Sequence, residues 1–520
     1  MGRRVGGSVA LLALVLSVAG ARADVECDWP MYGRDLGRTF AAPESCSSIT
    51  PLNAPTLAPK WYVETGSPVT ASPSVVDGVV YVGANAGPLY AVDAETGEID
   101  WIFEIPDGNR NYVGKIVASA AVSDVGGKRV VVIPGGSTLY VLDADDGSIL
   151  ASLCTDPRAH SEPRCEGSDS DIDILSSPAI VEVGEQTWIV VGHDVHNRAN
   201  VGRTGILAVR LEPGEPWTLE AIWKFDPEAE LSYTTDENKD GEDGYVYTTD
   251  PLTYGHGTGQ GCGGVWSSPA VDTEAGMVFF GTASCSRDGP TSGESMWGID
   301  LTSGAYRWQY DPRGERSESR HFDDDFGASP NLLPGGLVGE GSKDGWYYAR
   351  DRVTGEEAWT AHPGQSGRVN SDFSIGGIIG TTALGEVNGE PAVFATTAIS
   401  TPFSEEQPDP SLLEDPLRML SIHALSAADG RILWRSPLSR QSYGAPTYAN
   451  GVVFVPSTVD FAINVFHADT GVLLRRVPLN GAPSSAPALV GDSLYIGSGT
   501  TEQGLPLDDL SGIWAFRVLG

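Results

Sequence analysis

Ser72-Pro73-Ser-Val-Val-Asp-Gly-Val-Val-Tyr-Val82, followed by Leu89-Tyr-Ala-Val-Asp93-Ala-Glu-Thr96-Gly97 and then Trp101, is one copy of a phrase that returns about every fifty residues. Other copies close at Asp143 and Gly147; at Asp300, Gly304 and Trp308; at Asp351, Gly355 and Trp359; at Gly430 and Trp434; and at His467 and Gly471. A fixed period of this length with several short strands per copy predicts a propeller or solenoid, not a string of separate domains.

Each part of the phrase has a physical reason. Val79 to Val82 are residues that fill a pleated, buried surface. Asp93 to Gly97 form a hairpin turn in which the Asp bonds its own backbone and the Gly takes positive φ. The terminal Trp covers the gap between neighbouring blades. Copies begin near Pro73, Ala121, Pro178, Pro269, Pro330, Gly377 and Pro446, and an eighth near Pro487 stops at Trp514-Ala515-Phe516, without a final strand. Lys60-Trp61-Tyr62, upstream of the first copy, resembles that missing strand. The expected fold is therefore all-β: an eight-bladed propeller of four-stranded antiparallel blades over residues 60–520, its ring closed by pairing of N- and C-terminal strands, which removes long exposed edges.

Residues 1–23 read as an export signal: Arg3-Arg4, an apolar run from Val9 to Val18, and Ala21-Arg22-Ala23 as a small-x-small cleavage site. That run is too short to span a bilayer, so a periplasmic or extracellular protein with no membrane span is expected, with residues 24–59 as an N-terminal extension. Six cysteines in an exported chain predict disulfides. Proximity suggests Cys27–Cys46, Cys154–Cys165 and Cys262–Cys285, although other connectivities remain open. No Cys-x-x-Cys-His occurs, so no covalently attached c-type haem is expected. The net charge of −36 opposes nucleic acid and anionic lipid as partners.

Two stretches break the period, an acidic Gly-rich insertion over 225–264 and a Pro- and acid-rich loop over 402–417. Such insertions project from one end of a propeller, where binding loops collect. Within the first, Asp236, Asn238 and Asp240 with Gly241 match the first half of an EF-hand-like calcium loop, and Glu242, Asp243 or Asp250 is available to complete a shell. Tyr247 replaces the bidentate Glu at the twelfth position, so a solvated acidic loop is the alternative. His193-Asp194-x-His196 offers either a metal pair or loop hydrogen bonds.

The phrase resembles the quinoprotein family of eight-bladed propellers. Many members bind pyrroloquinoline quinone; others, such as outer-membrane assembly scaffolds, bind none. The resemblance covers roughly residues 28 to 518. Trp266 in Gly264-Val-Trp-Ser-Ser-Pro269 matches the Trp on which the quinone lies in the family's alcohol dehydrogenases. Asp323-Asp-Asp325-Phe-Gly327 matches the segment carrying the catalytic Asp, with Asp325 aligned. Eighteen residues on, Ser342-Lys343-Asp344-Gly345-Trp346 through Asp351-Arg352 resembles the segment that places a basic residue against the quinone oxygens. Asn109-Arg110 resembles the family's carboxylate-binding pair.

These residue types suit that chemistry. A guanidinium fork binds carboxylates in two places, an aromatic floor carries a flat ring, and a carboxylate takes the alcohol proton as hydride leaves. Lys343 with bound Ca²⁺ would polarise the quinone carbonyl. The resemblance also aligns Asn200 and Ser284, beside Asp325, with calcium ligands, but Asn200 stands where the family has Glu and Ser284 where it has Asn. The family's adjacent Cys-Cys pair is absent. Fewer anionic oxygens weaken a site for a hard dication. Asp28-Trp-Pro-Met-Tyr-Gly33 and Gly376-Gly377 are similar to the polyvinyl alcohol dehydrogenase branch. The resemblance thus implies an oxidoreductase for a small or polymeric alcohol, using pyrroloquinoline quinone and Ca²⁺ and passing electrons to a separate acceptor such as a cytochrome c. The alternative is a cofactor-free propeller acting as a binding or envelope-assembly scaffold.

Overall fold

In the first copy of the phrase, Ser74–Val76, Val79–Gly83, Pro88–Asp93 and Ile99–Glu104 pair in that order as one antiparallel sheet. The computed structural model describes residues 27–105, 114–155, 172–195, 205–227, 231–234, 263–283, 293–312, 324–364, 368–370, 373–375, 377–397, 422–436, 442–458, 460–500 and 510–519. Within them the same four-stranded blade recurs over 121–154, 179–226, 270–310, 331–361, 383–436 and 447–478. The eighth blade joins Ala488–Val490, Ser493–Ser498 and Gly512–Arg517 to Ala58–Glu64 from the other end of the chain, with Trp61 opposite Ala515. The ring therefore closes as the repeat count requires.

The first strand of each blade is innermost, since first strands of successive blades meet one another around the axis. Blade 3 is larger than expected. Phe225 and Asp226, placed in the insertion by the periodicity, complete its outer strand Thr218–Asp226, and Leu231–Thr234 adds a further strand at that edge. An inserted stretch can pair with a free ladder, and alternation alone does not reveal this. The loop over 402–417 lies outside the described residues.

Two devices hold blade to blade. Six Trp indoles donate to a carbonyl in the next blade's turn: Trp61 to Ala94 at 3.1 Å, Trp101 to Ala144 at 2.9 Å, Trp223 to Leu301 at 3.0 Å, Trp308 to Arg352 at 2.9 Å, Trp359 to Ala427 at 3.1 Å and Trp434 to Ala468 at 2.7 Å. Each ring lies on the turn glycine; a Cβ on Gly430 would stand 2.4 Å from Trp359. Ala151 and Arg475 take the Trp position in blades 2 and 7. The second device explains the Ser of Ser-Pro. The amide of Ser72 donates to the Ser119 hydroxyl, Ser119 to Ser177, Ser177 to Ser268, Ser268 to Ser329, and Ser329 to Thr381, at 2.8–3.0 Å. The Ala486 amide returns to Ser72 at 2.9 Å. This girdle satisfies buried amides that no sheet ladder reaches.

Residues 28–49 form a strap across the axis, beneath the segments that lead into the inner strands. Trp29 pairs with Val75 of blade 1, and the carbonyls of Pro30, Leu36, Gly37, Thr39 and Phe40 accept from Val122, Val271, Leu332, Leu384 and Tyr448 of blades 2, 4, 5, 6 and 7. Ser48 donates to Gly491 of blade 8. Arg38, fully buried, gives Nε to the Pro269 carbonyl at 2.8 Å and reaches the Ser177 carbonyl at 3.4 Å. Burial lowers its pKa to about 10. The Cys27–Cys46 disulfide ties the strap's ends.

Candidate functional site

In the segments that lead into the inner strands, one residue per blade reaches solvent between buried neighbours. These are Thr70, Val117, Leu175, Ile379, Tyr443 and Ser484, with Trp266 in blade 4. They share one register with Gly327 of blade 5, so they face the axial space above the strap. That ring carries no formal charge.

Trp266 owes its place to Gly327: a Cβ there would lie 2.2 Å from Trp266 Cη2. Asp325 precedes Gly327 by two residues, and its backbone carbonyl accepts from Lys343 N at 3.0 Å. Lys343 stands in the turn between Leu337–Gly341 and Tyr347–Asp351, so blade 5 supplies both groups. Lys343 Nζ donates to Asp325 Oδ2 at 2.8 Å and lies 5.7 Å from the Trp266 ring centroid, within cation–π range. The side chains are 12% and 7% exposed, so solvent screens this pair little. Three residues expected in one site thus meet.

Neighbouring groups hold this triad. Ser342 Oγ donates to the Asp324 carbonyl at 3.0 Å, and Asp324 N donates to Glu294 Oε1 at 3.2 Å. Gly377, at φ +66°, lets the next blade close on the Lys343 carbonyl, which a Cβ would meet at 2.1 Å. Trp346 stacks on His362, with centroids 4.3 Å apart.

Other expected residues fall elsewhere. Arg352 bonds Asp272 Oδ2 at 2.8 Å and the Leu337 carbonyl at 2.8 Å, so it joins blades 4 and 5 and is structural. His193 is fully buried, with Nδ1 2.9 Å from Lys224 Nζ. Burial, then the Lys224 charge, push its pKa well below the usual imidazole value. Among the described residues no group of three or more His, Cys, Asp or Glu converges as a metal site. Asn109, Arg110, His196, Asn200, Asp236, Asn238, Asp240, Glu242 and Ser284 lie outside the described residues. Cys154 is disulfide-bonded; Cys165, Cys262 and Cys285 also lie outside them. No described cysteine is free.

Glu340 escaped the sequence reading. It lies at the end of Leu337–Gly341, fully buried with neither carboxylate oxygen hydrogen-bonded, against Gly281, whose Cβ would lie 2.1 Å from Oε1 and 2.5 Å from Phe326 Cβ. Burial raises its pKa well above the usual carboxyl value. Its signal was a lone acid at a core-facing position of an apolar strand.

The ring, strap and triad define an eight-bladed propeller with an axial site that pairs an aromatic face with a lysine–carboxylate couple. Residues 29–363 match the family described as the glucose/ethanol/alcohol dehydrogenase β-propeller domain. The chain belongs to that family. Residues 418–512 match the outer membrane protein assembly factor BamB family. The chain is 25% identical to a quinohemoprotein alcohol dehydrogenase of Comamonas testosteroni over 63% of this chain and 45% of that protein. It is 26% identical to the quinohemoprotein alcohol dehydrogenase ADH-IIG of Pseudomonas putida over 67% and 48%, and 24% identical to a 1-butanol dehydrogenase (cytochrome c) of Thauera butanivorans over 66% and 49%. The chain spans about half the length of the curated relatives it matches. The solved Comamonas testosteroni quinohemoprotein alcohol dehydrogenase shares the fold at a TM-score of 0.66 and 17% identity, over 96% of this chain and 81% of that one. A europium-containing methanol dehydrogenase shares it at 0.64 and 15%, over 94% and 98%.

Proposed function

We propose that this chain is an exported quinoprotein oxidoreductase that oxidises an alcohol or polyol with pyrroloquinoline quinone and passes electrons to a separate acceptor such as a cytochrome c. One observation carries the reading: Lys343 Nζ, bonded to Asp325, stands beside the partly exposed ring of Trp266 at the axis. Membership of the dehydrogenase propeller family supports it. Export rests on residues 1–23 of the sequence; among the described residues no helix is long and apolar enough to cross a membrane.

The residues fit a flat, anionic quinone. Trp266, kept flush with the wall by Gly327, offers an aromatic face. Lys343 sets a cation at the edge of that face, where it favours negative charge developing on a carbonyl oxygen. The quinone, when bound, supplies the hydride acceptor. Asp325, a carboxylate held by Lys343 beside the aromatic face, is assigned as the base that takes the alcohol proton. Arg110 with Asn109 is assigned to ligand carboxylates. Calcium is assigned to Asp325 with Asn200 and Ser284, and a second ion to Asp236, Asn238, Asp240 and Glu242.

Calorimetric titration of the purified protein with quinone and Ca²⁺, beside dye reduction, tests the reading. Asp325→Asn should bind quinone but lose about 10²–10⁴-fold in turnover. Trp266→Ala should weaken binding by roughly 1–3 kcal/mol, the value of stacking a ring on an aromatic. A wild type that binds no quinone removes the enzyme and leaves the scaffold, the reading favoured by the assembly-factor match over 418–512.

A further inference from the structure

Lys115 occupies blade 2 in the register that Asp325 occupies in blade 5: each precedes by two the residue at the axis-facing position, Val117 and Gly327. Blades 2 and 5 are three apart in a ring of eight, so Lys115 stands across the axis from the Asp325–Lys343 pair. Its backbone is fixed on both sides: Lys115 N donates to the Asn85 carbonyl at 2.6 Å, and its carbonyl accepts from Gly136 N at 3.0 Å. The side chain lies over Gly87, at φ +124°, where a Cβ would meet Lys115 Cδ at 2.6 Å and Nζ at 3.4 Å. Nearby, Thr70 Oγ1 at the axis donates to Asn85 Oδ1 at 3.0 Å.

Lys115 is half-buried and forms no ion pair within the described residues, in a chain with 69 Asp and Glu against 33 Lys and Arg. A partly desolvated ammonium gains most from an anionic partner, because burial penalises an uncompensated charge. Its counter-charge is then expected from outside the described residues.

We propose that Lys115 binds a carboxylate of the ligand that lies on Trp266, anchoring the end opposite Lys343. The assignment rests on the quinone reading and adds a residue to it. Lysine acts here as a point charge, so it selects for anionic charge more than for shape.

The probes are pyrroloquinoline quinone and its neutral trimethyl ester, titrated by quenching of Trp fluorescence at low and high salt. In Lys115→Gln the free acid should bind about ten- to a hundredfold more weakly, the size of a hydrogen bond to a charged group. Ester affinity should stay unchanged, and the salt dependence of acid binding should shrink. Lys115→Arg should restore acid binding, and unchanged melting temperatures would show both variants folded. Equal weakening of acid and ester, or none for either, overturns the assignment while leaving the quinone site standing. A wild type that binds neither form overturns the quinone reading and the assignment together.

Discussion

Gly327 shows how much a single side chain decides at the axis. A methyl group there would occupy the space of the Trp266 ring edge, so one hydrogen atom separates a flush aromatic wall from a displaced one. Glu340 matters for the opposite reason, as a carboxyl in a site that solvates no charge. Burial raises its folded pKa well above the usual carboxyl value, so the folded chain holds this proton to a higher pH than the unfolded chain does. Its contribution to stability is therefore complete below about pH 4.5 and is lost as pH rises towards its folded value. Glu340→Gln, which cannot ionise, should gain on wild type as pH rises from 5 to 9 and flatten the alkaline limb. Thermal midpoints across that range check this, and parallel curves would show that Glu340 ionises freely in the fold.

At the scale of the blade, the hairpin turn and the Trp that covers it form one unit. The carboxyl of Asp300 shows how tightly the turn is bound: burial opposes its charge, but hydrogen bonds from Thr302, Arg307 and Ser303 outweigh that and hold its pKa well below the carboxylate range. The third and fourth strands of blades 1–7 also shift register along their pairing, which adds twist. Gly430 and Gly389 separate the two demands on a turn glycine. Both have positive φ, +71° and +78°, but only Gly430 has a ring on it; Gly389 has nothing within 4 Å. Gly389→Ala should cost about 1 kcal/mol from backbone strain alone. Gly430→Ala should cost roughly 1–3 kcal/mol more, because Trp359 must move. Urea midpoints of the two variants measure the difference, and equal losses would mean that the Trp contact contributes nothing.

The whole molecule depends on two segments far from the site in sequence. Ala58–Glu64 completes blade 8, and the strap of residues 28–49 bonds to the inner strands around the axis. Removing residues 24–65 would leave Gly512–Arg517 as an open edge and strip the floor beneath Trp266. The truncated protein should lose cooperative unfolding or melt far below wild type, by differential scanning calorimetry. An unchanged transition would mean that the ring holds without closure.

The period, the turn chemistry and the unpaired eighth copy were legible along the chain, because strand alternation and turn geometry are local demands. That is why blade number and ring closure at Lys60 to Val63 could be read before the fold was known, whereas the group Trp266, Asp325 and Lys343 came from the resemblance to the quinoprotein family. The rest depended on contacts between residues far apart in sequence. The Ser of Ser-Pro could not be tied to an interblade girdle until Ser268 met Ser329. Residues 24–59, without the period, read only as an extension, because a strap held by backbone carbonyls leaves little mark on side chains. Arg352 read as a structural residue pairing with a nearby acid, but which acid, Asp272 of the neighbouring blade, only the fold decided. Periodicity determines which strands exist and in what order; only the closed ring decides which residues from different blades face the axis together.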